Sequence, residues 1–275
     1  MIAALVAVAF AAAVQQLPFE PVHESGQSIT GAFEGWFPNP DGSFSILVGY
    51  YNRNQKEELD IPIGRDNRIE PGGPDRGQPE HFGPGRQWGV FTITVPKDFG
   101  DRKLTWALNA NGKTTVIPLN LNTLWELEPF REASGNAPPW IAFAPDSPFV
   151  QGPRGQSVAR TAAVGAPLEL TAYLADDAVA PLAGARPRTS PVTVAWSKLR
   201  GPGAVTFAPD RPAVNPAEFH APAGATFQGK AVTAVTFSGP GEYLLRLVAN
   251  DWSGDGGAGF QCCWTNAVVK VTVVR

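Results

Sequence analysis

The sequence predicts an all-β protein: two Ig-like β-sandwich domains in tandem after an N-terminal signal peptide. Three observations carry this expectation. Apolar and polar residues alternate with period two over most of the chain, the pattern of half-buried strands. Gly and Pro number 29 and 27, and they break the alternating runs where short connections belong. The length of 275 residues exceeds one Ig-sized sandwich of about 100 residues and suits two. Apolar residues make up 43% of the chain and charged residues 17%, enough of the first for a core in each half. The net charge of −3 comes without a basic block, which argues against a nucleic-acid partner. No apolar run reaches the roughly 20 residues of a membrane-spanning helix.

Taken in order, residues 1–14 (MIAALVAVAFAAAV) have the length and composition of a signal-peptide core, with a small-residue cleavage site at Ala11-Ala12-Ala13. No Lys or Arg precedes that run. The expected product is secreted or periplasmic, starting near Val14 or Gln15. Residues 15–27 form a tether. Residues 28–130 make the first sandwich. Its strands are expected over 28–36, 44–51, 87–95, 103–109 and 113–119, with a further one at 124–127. Asp41-Gly42 and Asn111-Gly112 supply the hairpin turns. Residues 131–139 (REASGNAPP) are the linker. Residues 140–275 make the second sandwich, with strands over 167–174, 191–199, 204–208, 231–237, 242–250 and 264–274.

Residues 52–86 stand apart. They carry charge of both signs, Pro and Gly, and few large apolar side chains. A long polar segment inside a domain is usually a functional loop, and this one is the leading place for a contact surface. A short edge strand fits at residues 59–63, because Pro62 cannot donate to a central ladder. Arg53, Arg65, Arg68, Arg76, His81 and Arg86 are the candidate binding residues here. Trp88, Trp252 and Trp264 join them, since indole rings at strand ends often serve interfaces. The competing expectation is that the interleaved charges form a solvated ion-pair network and that the tryptophans cap the cores.

The second half contains AWSKLRGPGAVTFA, then AVTFSGPGEYLLRLVANDWSG, then a closing VKVTVV. This order resembles the polycystic kidney disease (PKD) type of Ig-like domain over residues 145–275. The resemblance implies an Ig-like sandwich, commonly an extracellular spacer or interaction module. The inserted segment 253–265, with its cysteine pair, departs from that pattern. Independently of the family, Tyr243 sits just after the Gly239-Pro240-Gly241 turn, where a tyrosine corner belongs. Trp106 and Trp196 fall in phase with core positions.

Chemistry-bearing constellations are sparse. No nucleophile elbow or dinucleotide fingerprint is present, and no catalytic residue is assigned. The acids of 52–86, among them Glu57 and Glu80, offer a hydrolase only if two of them converge. A zinc set from Asp75, Glu80 and His81 has no ligand spacing. Asn250, Asp251 and Asp255, in a Gly-rich loop, are the candidate ligands for calcium; no other cofactor is expected. Cys262 and Cys263 are adjacent and the only cysteines. Buried thiols, a vicinal bridge and a bridge to another chain all remain open. The function expected is an exported, non-enzymatic module that contacts a protein or glycan at the cell surface. A carbohydrate-binding protein using exposed Trp rings is the alternative, and a hydrolase the third.

Overall fold

The structure is a computed structural model that describes residues 23–132, 135–155, 157–179, 190–251 and 262–275. The expected signal peptide, Trp252 and Asp255 lie outside these residues. Regular structure is almost wholly β, as expected.

The first half contains β1 (Ile29–Pro38), β2 (Phe44–Asn52), β3 (Leu59–Asp60), β4 (Asn67–Glu70), β5 (His81–Phe82), β6 (Gly85–Val95), β7 (Leu104–Ala110) and β8 (Lys113–Leu119). One sheet runs β1-β2-β6 and a second β4-β7-β8, with a small β3-β5 ladder. Alternation places Ile46, Val48, Ile93, Trp106 and Leu108 in one apolar cluster. The Asn111-Gly112 turn holds both residues at positive φ, 47° and 74°, the backbone a two-residue hairpin needs.

The charged stretch is not one open loop. It supplies β3, β4 and β5, and it buries Ile61, Ile69 and Phe82 in the first core. A network of buried amides replaces the missing apolar side chains. Asn67 Nδ2 donates to the carbonyls of Ile61 and Pro79, and the Trp106 indole donates to Asn67 Oδ1 at 3.0 Å. Asn52 likewise donates to the Glu57 and Phe82 carbonyls. The expected strand at 59–63 shrinks to Leu59–Asp60, although the Ile61 amide still donates to the Glu80 carbonyl. The strand expected at 124–127 is instead a 3-10 turn, Thr123–Trp125, capped by the Asn122 side chain.

The second half contains β9 (Trp140–Ala142), β10 (Val150–Gln151), β11 (Ser157–Ala163), β12 (Leu168–Asp176), β13 (Thr193–Arg200), β14 (Val205–Ala208), β15 (Asn215–Pro216), β16 (Phe227–Phe237), β17 (Gly241–Asn250) and β18 (Trp264–Val274). One sheet runs β10-β9-β12-β16-β14, with β15 also on β16; the other runs β11-β18-β17-β13. β11 pairs in parallel with β18. Its mostly exposed Ala, Arg and Thr residues hid it from the pattern. The Tyr243 hydroxyl donates to the Gly239 carbonyl at 2.8 Å, which makes the tyrosine corner. Cys262 and Cys263 are joined to each other as a disulfide; neither is a free thiol.

The halves are joined face to face. Leu47, on the face of β2 opposite Ile46 and Val48, packs with Phe37, Val248 and Trp264. Leu199, Leu244 and Val268 of the second half contact the first core. At the centre, Glu34 is buried: its carboxylate accepts from the Gly89 amide at 2.7 Å and from Arg86 at 2.5 Å. From the other side, Arg246 donates to the carbonyls of Trp88 and Gly89, and Asn266 Nδ2 donates to the Gly89 carbonyl at 2.6 Å. Burial pushes the Glu34 carboxyl up, while Arg86, the Gly89 amide and Arg246 oppose that push.

Gly89 sits at φ +49°, and a Cβ there would stand 2.2 Å from Cζ2 of Trp264. The expected result of Gly89→Ala is therefore a loss of about 1–3 kcal/mol of stability from overpacking this seam. Urea unfolding followed by tryptophan fluorescence measures it, and an unchanged midpoint would contradict the close approach.

Candidate functional site

A cleft of about 530 Å³ lies between the halves. Its first wall is the charged stretch, with Glu58, Asp60 and His81. Its second is β13 and β17, with Trp196, Lys198 and Arg246. On β13, Lys198 follows Val194 and Trp196 of the second core at the same two-residue spacing, so Leu199 lies on the opposite face, and the register against β17 shifts between Lys198 and Arg200. Leu199 consequently reaches the first core, and its carbonyl accepts from the Glu80 amide at 2.9 Å.

The charges pair across the cleft. Asp60 Oδ1 accepts from Lys198 Nζ at 3.0 Å and lies 2.9 Å from His81 Nδ1. His81 Nε2 faces Glu58 at 3.4 Å. Partial burial alone would raise the Asp60 carboxyl, but hydrogen bonds from Lys198 and His81 hold it below its ordinary value. Arg200 clasps Asp75 with two nitrogens at 2.9 and 3.0 Å, and its Nε donates to the Gln78 carbonyl. That clasp holds the Asp75 carboxyl below its ordinary value.

Both ring nitrogens of His81 face carboxylates, so neither is left to activate a hydroxyl. Of the acids considered for a hydrolase, Glu58 and Asp60 flank His81, while Glu57 and Glu80 bind main-chain groups. Glu57 accepts from the Gly26 amide, and Glu80 accepts from the Ile63 amide. Asp75 lies against Arg200 rather than His81. Among the described residues no three His, Cys, Asp or Glu side chains converge as a metal set.

The candidate residues scatter. Arg65, on an exposed turn, and Arg68, on β4, lie together, and Arg68 donates to the Arg65 carbonyl. Arg53 donates to the Thr30 hydroxyl and lies over the Tyr51 ring. Arg76 folds back onto the Pro71 carbonyl at 2.7 Å. His81 belongs to the cleft. Arg86 is consumed by Glu34 and stacks on Trp88, 3.8 Å from the ring centre. Trp264 is buried, 1% exposed, because the first half covers the strand end that reads as free in the sequence. Asn250 ends β17, and Asp251 follows it, buried, with Asn136 Nδ2 donating to its carboxylate. Asp255 lies outside the described residues.

Sequence reasoning missed Glu34, Lys198, Arg200 and Arg246. Glu34 and Arg246 left a signal: each is a charge flanked by apolar residues within a strand, which calls for a buried partner. It also missed Trp125, which is 52% exposed beside Leu124, 87% exposed.

No protein-family model matches the chain, and no curated protein matches it. Solved structures with some similarity include a PapD-like domain of human CEP192, at 14% identity over 54% of this chain and 93% of that one, TM-score 0.25. The D00-D0 domain of intimin aligns at 11% identity over 90% and 100% of the two chains, TM-score 0.26. Domains 4 and 5 of the S-layer protein SbsC align at 14% identity over 90% and 98%, TM-score 0.23. These superpositions are too loose to transfer any property.

Asp60 and Asp75 have depressed folded-state values, so their contribution to stability is present above the ordinary carboxylate range and is lost as pH falls through it. The double variant Asp60→Asn/Asp75→Asn is expected to be less stable at neutral pH by up to about 1 kcal/mol per pair. It should also lose less stability than the parent on acidification from pH 5 to 2. Denaturant midpoints across that range check both.

Proposed function

We propose that the chain is an exported, non-enzymatic module that presents a rigid two-sandwich surface to a partner at the cell surface. The observation that carries this reading is the sealed seam between the halves. Apolar contacts and buried hydrogen bonds fix one sandwich against the other, as suits a spacer or a docking body. The PKD-like pattern of the second half supports the same role. The cleft charges neutralise one another rather than converge on a reacting atom. Export rests on the apolar run at residues 1–14 and on the Cys262–Cys263 disulfide, a bond favoured in oxidising compartments. Among the described residues no helix is long and apolar enough to cross a membrane.

Two experiments test the reading. Mass spectrometry of natively expressed protein should find a mature N-terminus near Val14 or Gln15, in a periplasmic or culture-medium fraction; an intact Met1 in the cytosol would refute export. Calorimetry should show both halves unfolding in one cooperative transition, whereas two separate transitions would remove the rigid body.

The exposed pair Leu124 and Trp125 favours a second reading. An indole face open to solvent suits stacking on a sugar ring, and Phe33 props that indole from beneath at 5.9 Å. The expected result is glycan-array binding that Trp125→Ala reduces at least tenfold without a change in melting temperature. Binding that survives the substitution would place the sugar elsewhere.

A further inference from the structure

Two rows of inward-facing side chains in the second half end on carboxylates. On β12, Leu170, Ala172 and Leu174 enter the core, and Asp176 follows at the same two-residue spacing. On β17, Leu245, Leu247 and Ala249 do the same, and Asp251 comes next in that row. The strands belong to opposite sheets, so the aspartates close one end of the sandwich from both sides. Both are 0% exposed. The segment leading in from the first half ties this end together. Asn136 Nδ2 donates to Asp251 at 2.7 Å, and the next amide, Ala137, donates to Asp177 at 3.1 Å.

Asp176 is the anomaly. One carboxylate oxygen accepts from the Ala178 amide at 2.8 Å. The other, Oδ1, is buried and has no hydrogen-bond partner among the described residues. Burial pushes its carboxyl up to about 7, and the charges of Asp251 and Asp177 add to that push. A buried orphan oxygen beside a second buried carboxylate is costly unless positive charge meets it.

We propose that a hard divalent cation of the calcium type binds at this end of the second sandwich, ligated by Asp176 Oδ1 and Asp251. Main-chain oxygens and water complete the shell. Calcium tolerates such an irregular set of oxygens, whereas zinc wants a tetrahedral set richer in nitrogen and sulfur. Asp177 adds charge at the rim, and the Asn136–Ala137 segment is held against the sandwich end. The site shares only Asp251 with the expected set of Asn250, Asp251 and Asp255. It is independent of the function proposed above.

The test uses the full chain after chelator treatment. Calorimetric titration with calcium chloride should show one site, with a dissociation constant on the order of 10⁻⁴–10⁻³ M as in extracellular modules, and the melting temperature should rise by several degrees at saturation. Asp176→Asn should weaken binding at least tenfold. Asp98→Asn, on a distant exposed turn, should leave it unchanged. No heat and no melting shift in the parent protein would overturn the proposal, as would parental affinity in Asp176→Asn. If Asp176→Asn does not fold, Asp177→Asn decides: affinity weakened about threefold supports the site, and unchanged affinity overturns it.

Discussion

The buried carboxylate of Glu34 is the constraint on which the assembly of the two halves depends. A charge removed from water is strongly unfavourable unless it is paired and hydrogen-bonded. Here it is held by the Gly89 amide and by Arg86, with Arg246 of the other half adding its field. Arg246 is itself anchored by Asn266, and both bind the carbonyl of Gly89. Residues of both sandwiches therefore satisfy one polar knot. Separating the halves would leave Arg246 and Asn266 without those partners.

Around the knot, apolar packing sets the distance. Trp264 occupies the space that a side chain at residue 89 would need, and Phe37, Leu47 and Val248 surround it. At the edge of the seam, Arg154 reaches back to Asn39 and the Pro38 carbonyl and lies 4.2 Å from the Phe130 ring centre. The charged stretch closes the opposite side through Lys198 and Arg200. Polar residues thus do at this seam what apolar ones do in the cores. They fix one relative orientation, because hydrogen bonds to main-chain groups are directional in a way that dispersion contacts are not.

Much of the fold was legible. The Asn111-Gly112 hairpin, the core positions of Trp106 and Trp196 and the corner at Tyr243 follow from turn chemistry and period-two spacing. The site was much less legible. Arg86 reads as a surface charge and serves a buried acid. Residues 52–86 read as an open loop because their interior contacts are amide hydrogen bonds, which leave no hydrophobic periodicity. Trp125 falls in a segment, 124–127, that reads as a strand and lies on an exposed turn, since four residues are too few to show a period.

The sequence by itself determined the long alternating strands, their hairpin turns and which side of each faces inward, because these depend on neighbours a few residues away. Only the tertiary structure decided what covers the second face of β2, why Trp264 is buried and which acid meets Asp251. Alternation says that a face must be covered and is silent on the partner, because Asp176 and Asp251, or Glu34 and Arg246, are brought together by the packing of distant segments.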